Sequence, residues 1–385
     1  MANVIEYAKL YQKQLDKLAL QGLRTGWMEA NAGQVIYNGG KEIKIPKMAL
    51  DGLADYSRAN GYADGDVTLE YETRSMTQDR GRRFSIDAMD VDESGFVATA
   101  AAVLGSFQSE KVIPEVDAFR MAMLYKVAAA CGHVQTYTPS ATDILAKLKA
   151  DIKNAKKNGA VNPVIHITFD ALSLLEIALA GQLRNTTWKQ GGIDTTVPAV
   201  DGCPLIAMED ARMYKELNIS ATSGYTGSGI INWIVVDGRA PIAVSKTDVP
   251  RIFTPDVNQD ADAWRVTYRK YHDIWIPDNK RGLVWASVQS GGSGGNIDGK
   301  ADGNVVPSVN LNLHEATVAE AGTVTLIADV FPVGETVTWA SSASGKATVS
   351  DGVVTGVDAG EATISASITV GGVTYKDECA VTVTE

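Results

Sequence analysis

Histidine and cysteine, the usual residues of acid–base, nucleophilic and metal chemistry, are sparse in this sequence. The four histidines lie in different predicted elements, without a carboxylate or cysteine partner at ligand spacing. They are His133, His166, His272 and His314. The three cysteines are Cys131, Cys203 and Cys379. Because they are far apart and form no CxxC pattern, we expect no disulfide framework, no zinc site and no cofactor.

Sequence motifs of catalysis are also missing where they would matter. None of GxSxG, HExxH, GxxxxGK[ST] or GxGxxG stands between a predicted strand and a predicted helix. The run GGSGG lies in a glycine-rich segment with no Lys-Ser/Thr pair after it, which indicates a spacer. Asp90, Asp92 and Glu93 precede a long predicted helix, where carboxylates offset the helix dipole. We therefore predict that the chain is not an enzyme.

Arginine is the residue type whose pattern points to a contact. Four arginines cluster in a polar segment, and three carboxylates lie within the helix predicted after it. The arginines are Arg74, Arg80, Arg82 and Arg83, and the carboxylates are Glu110, Glu115 and Asp117. Guanidinium groups suit bidentate pairing with carboxylates across an interface. We predict pairing between neighbouring copies of the chain; the alternative is a charged, solvated loop.

The arginines fall in residues 61–90, where two alternating runs, VTLEYETRSM and RRFSIDAMD, predict a long hairpin with its tip at residues 78–81. The hairpin is too polar to pack heavily on its own domain, so we expect it to rest on another chain. The Ala-rich residues 97–131 predict a long helix. Pro114 predicts a kink or break in it near Glu110.

The rest of the chain predicts a mixed α/β subdomain, a linker and a sandwich. A helix over residues 142–157, the strands VIHITF and CPLIAM and the helix ALSLLEIALAG indicate the mixed subdomain. Residues 290–304 are rich in Gly, Ser, Asp and Asn, which is typical of a flexible linker. Residues 305–385 show strand candidates about every ten residues, which predicts an antiparallel sandwich.

The charge of the chain is uneven. Residues 291–385 hold 3 Lys or Arg against 12 Asp or Glu, whereas residues 1–290 hold 32 against 34, within a net charge of -11. A nearly neutral body argues against a sequence-reading nucleic-acid binder, and an acidic tail argues against docking on anionic membranes. The opening MANVIEYAKLYQKQLDKLAL lacks the apolar core of a secretion signal, so we expect synthesis in the cytoplasm.

The tail segment VTWASSASGKATVSDGVVTGVDAGEATISAS resembles the bacterial immunoglobulin-like domain of group 2. The body resembles the major capsid proteins of tailed phages, of the Hong Kong 97-like fold, most closely those of siphophages that infect Gram-positive hosts. The segments that carry this second resemblance are FSIDAMDVDES leading into EKVIPEVDAFR, then VDGCPLIAMEDARMY, then INWIVVDGRAPIAVSKTDVPRIFTPDVNQDADAWRVTYRKYHDIWIPDNKRGLVWAS.

These resemblances imply an α+β capsid body over residues 1–289, followed by the linker at 290–304 and an all-β immunoglobulin-like domain at 305–385. Within the body they imply an N-terminal arm at residues 1–50, an extended loop at 61–90, a spine helix at 97–131 and an axial domain at 160–245.

The function implied is a virion shell assembled in the host cytoplasm. Hexamers and pentamers would enclose double-stranded DNA with the help of a portal and a separate scaffolding protein, and the sandwich would decorate the outside, with host-surface glycans as a possible contact and no membrane partner. Two alternatives remain open: an encapsulin-like compartment, and a bacterial surface adhesin that carries the same immunoglobulin-like module.

Overall fold

A computed structural model describes residues 22–37, 41–50, 67–93, 100–180, 182–190, 193–220, 224–289 and 306–385. The chain divides into two compact units, residues 1–129 with 133–304 and residues 305–385 with the short segment 130–132. Helices and strands are mixed in the first unit, the body, whereas the described residues from 306 onward contain strands and no helix. The prediction of an α+β body followed by an all-β immunoglobulin-like region is confirmed.

The long helix predicted at residues 97–131 consists of successive helical segments. After the short α1 (Ala88–Glu93), α2 (Ala100–Phe107) runs through a π-helical turn, Gln108–Val112, into α3 (Ile113–Ala130). Pro114 has no N–H to donate to the carbonyl of Glu110, and the wider π-helical turn lies at this point. The interruption near Glu110 is therefore a change of helix type. Most of α3 is buried, including Phe119, which places it inside the body.

Three strands near the start of the body form an antiparallel sheet in the order β1 (Ile36–Tyr37), β2 (Glu42–Leu50), β3 (Val67–Ser75). Strands β2 and β3 pair along their whole length, from Glu42 opposite Ser75 to Leu50 opposite Val67. We call this two-stranded element the ribbon. The residues that connect its strands, 51–66, lie outside the described part of the chain.

The hairpin predicted over residues 61–90 is wrong in its pairing. Its two strands exist, but β3 pairs with β2, whereas β4 (Gln78–Asp87) pairs with β13 (Ala263–Trp275), which in turn pairs with β12 (Ile242–Phe253). Phe84 of β4 packs with Phe107 of α2 and with Tyr268 of β13. This burial within the chain holds β4 in place, so it needs no neighbouring molecule for support.

A second group of strands and helices forms the mixed subdomain of the body. Its elements are β5 (Val134–Thr136), α4 (Ile144–Lys157), β6 (Pro163–Thr168), α5 (Phe169–Ala178), β7 (Arg184–Gln190), β8 (Ile193–Val200), β9 (Cys203–Met208), β10 (Tyr214–Ser220), β11 (Gly224–Asp237) and β14 (Val284–Val288). Among the described residues the strands form one sheet in the order β5-β14-β11-β6-β9-β8-β7, with β10 also paired to β11. Strand β6 is buried along its whole length, which marks the centre of this sheet.

The second unit has strands β15 (Ser308–Leu311), β16 (Glu315–Ala319), β17 (Thr323–Thr325), β18 (Ala328–Phe331), β19 (Thr338–Ser341), β20 (Ala347–Ser350), β21 (Val353–Gly356), β22 (Gly360–Val370) and β23 (Val373–Thr384). Its largest sheet has the order β16-β23-β22-β19. Every second residue of β22 from Ala362 to Ile368 points into a core shared with Cys379 and Val381 of β23. This alternation is the reason for the period-two pattern in the sequence.

Short 3-10 helices complete the body at Gly26–Gln34, Asp210–Arg212 and Asp278–Leu283. None of the helices in the described ranges is both long enough and apolar enough to cross a membrane.

Candidate subunit-contact surface

Arg80 finds its carboxylate partner within its own chain. Its Nε lies 2.5 Å from Oε1 of Glu115 and its Nη2 lies 3.1 Å from Oε2, while its Nη1 donates to the carbonyl of Ser220 at 2.9 Å. The predicted bidentate geometry is therefore present, but it joins β4 to the first turn of α3 in one molecule. The expectation that a neighbouring copy supplies Glu115 is corrected for this pair, because β4 lies beside β13 and not on an independent hairpin.

Arg74 anchors the base of the ribbon. Its side chain is buried, and its Nη2 lies 2.8 Å from Oδ1 of Asp278 and 3.3 Å from Oε2 of Glu72. Burial, together with the nearby charge of Asp278, raises the pKa of Glu72 above its ordinary value. Arg281 forms a further ion pair with Asp278. Arg74 is thus committed to contacts that fix the ribbon to the 3-10 helix at Asp278, and it is not a surface group.

Asp117 is fully buried on α3 and is shared by two segments of the same chain. One of its oxygens, Oδ1, accepts from the backbone N–H and the hydroxyl of Thr25 at 3.1 and 2.6 Å. The other, Oδ2, accepts from the backbone N–H of Arg24 at 3.2 Å and from Nη1 of Arg212 at 2.9 Å. Asp117 therefore fastens residues 24 and 25 to the helix and has no surface to offer a neighbour.

Arg120, one helical turn further along α3, strengthens this attachment. It donates to the carbonyl and hydroxyl oxygens of Thr25 at 3.1 and 3.2 Å, and it lies 2.5 Å from Oε1 of Glu29. Trp27, in the same segment, donates from its indole N–H to Nε2 of His166 at 3.2 Å and stacks on that ring. Burial lowers the pKa of His166 to about 3, so its ring is a neutral acceptor.

Three of the seven predicted contact residues are exposed on the surface of the body. Arg82 and Arg83 project from β4, and Glu110 lies in the π-helical turn. Their role between subunits remains a prediction. Arg74, Arg80, Glu115 and Asp117 instead hold the body together internally.

A surface that the sequence patterns did not indicate lies on the ribbon. The inward face carries Ile43 and Ile45, which are buried against Met76, Ile242 and Tyr271. The opposite face carries four exposed apolar residues, and we call them the outer ribbon face. They are Ile36, Pro46, Leu69 and Tyr71. Leu69 and Tyr71 are 51% and 48% exposed, and Tyr71 stands directly opposite Pro46 in the register. Apolar residues this exposed on a strand pair indicate a contact with another surface.

Neither the partners of Asp117 nor the outer ribbon face could be predicted from local sequence patterns alone. The partners of Asp117 lie more than 90 residues away along the chain, and no local pattern signals a bond over such a separation. For the outer ribbon face the signal lies in β3, where Val67, Leu69 and Tyr71 alternate with polar residues. The alternating Ile43 and Ile45 of β2 belong to the inward face. The alternation identifies an exposed face of the ribbon only once β2 and β3 are known to pair with each other.

One comparison with known protein families matches the second unit of the fold. Residues 305–381 match the family model of the bacterial Ig-like domain (group 2). The resemblance found in the tail sequence is thereby confirmed. No curated protein sequence matches the chain.

The solved structures to which the chain is similar include two from phages and one from a virus-like particle. One is from Mycobacterium phage Che8, with 14% identity and a TM-score of 0.43, covering 65% of this chain and 85% of that one. Another is from the mature capsid of bacteriophage PhiM1, with 8% identity and a TM-score of 0.46, covering 67% and 85%. A third is from the virus-like particle of Pyrococcus furiosus, with 11% identity and a TM-score of 0.41, covering 72% and 98%.

Proposed function

We propose that this chain is the major capsid subunit of a tailed phage. Copies assemble as hexamers and pentamers into an icosahedral shell around double-stranded DNA, and the immunoglobulin-like domain decorates the outside. The observation that carries the proposal is the ribbon: one face is buried in the body, whereas the outer ribbon face holds exposed apolar residues.

The physical reason is that the ribbon is anchored to the body at its base, whereas its outer face leaves apolar side chains exposed to solvent. Arg74, Ile43 and Ile45 anchor the base. An isolated two-stranded ribbon is marginally stable in water, and exposed apolar strands favour association. If a neighbouring copy covers Leu69 and Tyr71, burial of each side chain stabilises the contact by about 1 to 2 kcal/mol. Many such modest contacts add up when a symmetric shell closes.

Within this proposal the ribbon, Glu42–Leu50 with Val67–Ser75, replaces residues 61–90 as the extended loop, because β3 pairs with β2 and not with β4. The other assignments are proposed as the sequence implied them: the spine helix within residues 97–131, the axial domain at 160–245, the linker at 290–304 and the sandwich at 305–385. A scaffolding protein and a portal are the expected assembly partners, the host cytoplasm is the expected site of assembly, and host-surface glycans are a candidate ligand of the sandwich.

The test is electron microscopy of the purified full chain, alone and with its scaffolding protein. The perturbation is the double substitution Leu69→Ser and Tyr71→Ser. The matched control is Val353→Ser with Val373→Ser, which makes the same kind of change at exposed residues of the second unit. We expect closed shells from the wild type and the control, and unassembled subunits with an unchanged thermal unfolding midpoint from the ribbon variant.

Two results would count against the proposal. A wild-type chain that forms no shell in any condition, even with scaffold, contradicts the capsid function. A ribbon variant that assembles as well as the wild type shows that the outer ribbon face is not the contact. Deletion of residues 291–385 tests the decoration separately, because shells should still form without the sandwich.

A further inference from the structure

Helix α4 carries a concentrated positive charge. Five lysines, all exposed, occur within its fourteen residues, and its opposite side is buried through Ile144, Leu148 and Ile152. With 3.6 residues per turn, four of the lysines fall within an arc of about 100° on the solvent side. We call these four the lysine face. They are Lys149, Lys153, Lys156 and Lys157.

Little negative charge lies nearby to neutralise the lysine face. The one acidic residue of α4, Asp151, is buried on the other side, where it accepts from the indole of Trp233 at 2.8 Å and the amide of Gln135 at 2.5 Å. Asp201 forms an ion pair with Lys149 at 3.2 Å. For Lys153 and Lys157 no comparable partner is seen among the described residues. In a chain with a net charge of -11, this surface is a local exception.

Two further cationic residues, Arg239 and Lys280, lie beyond the end of the helix. Arg239 donates to the carbonyl of Gly159, two residues past α4, at 3.1 Å, and its half-exposed side chain pairs with Asp237 at 2.9 Å. Lys280 donates to the backbone carbonyl of Arg239 at 2.9 Å. Burial and the charge of Arg239 lower the pKa of Lys280. Asp237 thus balances the charge of Arg239, and the concentrated positive charge lies on α4 itself.

Helix stability alone does not account for this charge pattern. Lys156 and Lys157 lie in the last turn, where cations interact favourably with the helix dipole. Lys149 and Lys153 lie further back, four residues apart, and Lys153 is also four residues from Lys157. Like charges at this spacing destabilise a helix by about 0.2 to 0.5 kcal/mol per pair. A bound polyanion would remove this repulsion.

The chemistry of the surface favours a phosphate backbone over a protein partner. Protein interfaces are enriched in aromatic residues and arginine and depleted in lysine. The exposed side of α4 carries lysine and alanine and no aromatic or large apolar residue. Lysine acts as a compact point charge that binds phosphate without fixed geometry, which suits contacts that ignore base sequence.

We propose that the lysine face binds the sugar–phosphate backbone of double-stranded DNA irrespective of sequence. This inference rests on the proposed function, since a shell that encloses DNA brings the two together. From Lys149 to Lys157 the helix rises about 12 Å, and duplex DNA carries one charge per roughly 1.7 Å of its axis. Several phosphates thus lie within reach of the four side chains.

The experiment measures binding of the full chain to a fluorescently labelled duplex of arbitrary sequence, by anisotropy, as the salt concentration is varied. If four phosphates are contacted, affinity should fall about a hundredfold between about 50 and 200 mM salt. Lys153→Gln with Lys157→Gln removes two contacts, so the fall should shrink to about tenfold. Glutamine is as good a helix former as lysine, so α4 should persist in the variant.

The control is Lys41→Gln with Lys111→Gln, which makes the same change of net charge at exposed lysines outside α4. It should keep the wild-type salt dependence. If the α4 variant and the control have the same salt dependence as the wild type, the inference is wrong. It is also wrong if the α4 variant alters shell assembly but not DNA affinity, because the surface would then contact protein.

Electron microscopy of the same preparations separates this inference from the proposed function. Shells that form from the wild type together with an unaltered DNA affinity in the α4 variant refute the inference and leave the capsid function standing. A selective loss of affinity in the α4 variant, without any shell from the wild type, supports the DNA contact and refutes the capsid function.

Discussion

Asp117 is the buried group whose replacement tests the internal architecture of the body most directly. Substitution by asparagine keeps the size and shape of the side chain but removes its charge. Both carboxylate oxygens accept hydrogen bonds in the structure, one from Thr25 and the other from Arg24 and Arg212. An asparagine must therefore direct its NH₂ group at other donors, and the Arg212 guanidinium loses its buried carboxylate partner and keeps Glu209 at 3.3 Å.

The size of the expected loss of stability follows from the burial of the Asp117–Arg212 ion pair. Asp117 is fully buried and Arg212 nearly so. Removal of one partner of a buried ion pair destabilises proteins by about 3 to 5 kcal/mol. We expect Asp117→Asn to lower the free energy of unfolding of the body by that amount, a large part of the roughly 5 to 15 kcal/mol typical of a domain.

The assay is denaturant unfolding of the subunit followed by tryptophan fluorescence, which reports mainly the body because six of the seven tryptophans precede residue 290. Asp79→Asn serves as the control, since Asp79 pairs with Arg269 at an exposed position and should show no measurable loss. If Asp117→Asn does not fold, Thr25→Val removes the hydroxyl contacts with Asp117 and Arg120 and should cost about 1 to 3 kcal/mol. The reasoning is refuted if Asp117→Asn is as stable as the control. If Thr25→Val is used in its place, stability equal to that of the control refutes the reasoning in the same way.

Two further predictions concern pH and backbone geometry. Burial raises the pKa of Asp151 from 3.8 to about 6, so between these pH values the folded chain holds a proton that the unfolded chain releases. The free energy of unfolding should therefore fall as the pH rises from about 4 to 6. Asp151→Asn should remove the part of the pH dependence of the thermal midpoint that this proton causes. An unchanged pH profile would contradict this. Gly352 and Gly371 both have positive φ. A Cβ added at Gly352 would lie 2.4 Å from the carbonyl oxygen of Leu326, whereas a Cβ added at Gly371 would have no atom within 4 Å. Gly371→Ala should therefore lower the free energy of unfolding by about 1 to 2 kcal/mol, and Gly352→Ala should lower it by about 1 to 3 kcal/mol more. Equal unfolding midpoints for the two variants would contradict the argument.

Element types were predictable from local patterns, whereas strand partners were not. The helix predicted at residues 142–157 is α4, Ile144–Lys157, because apolar residues recur on one side of it. Strands β3 and β4 were predicted in nearly the right places. Alternation shows which residues share a face of a strand, but it does not select the strand that lies alongside. The pairing of β4 with β13 joins residues almost 200 positions apart, for which the sequence offers no local signal.

The candidate site shows the same limit in its chemistry. Arginine and glutamate pointed correctly to bidentate pairing, which Arg80 and Glu115 make. Sequence could not tell whether the pair joins one molecule or two, because that depends on the route of β4 through the fold. The lysines of α4 are conspicuous along the chain. Their position on the solvent side follows from the helical spacing, and the structure confirms that Ile144, Leu148 and Ile152 are buried away from them.

The direction of the ribbon is set by the corner between β3 and β4. The carboxylate of Asp273, on β13, accepts from the backbone N–H and the hydroxyl of Thr77 at 2.8 and 2.9 Å. The hydroxyl of Tyr271, on the same strand, donates to the carbonyl of Met76 at 3.2 Å. Because β13 also carries β4, one strand fixes both the corner and the strand that follows it. The outer ribbon face is therefore held at its base in a single orientation, as a repeated contact between identical subunits requires.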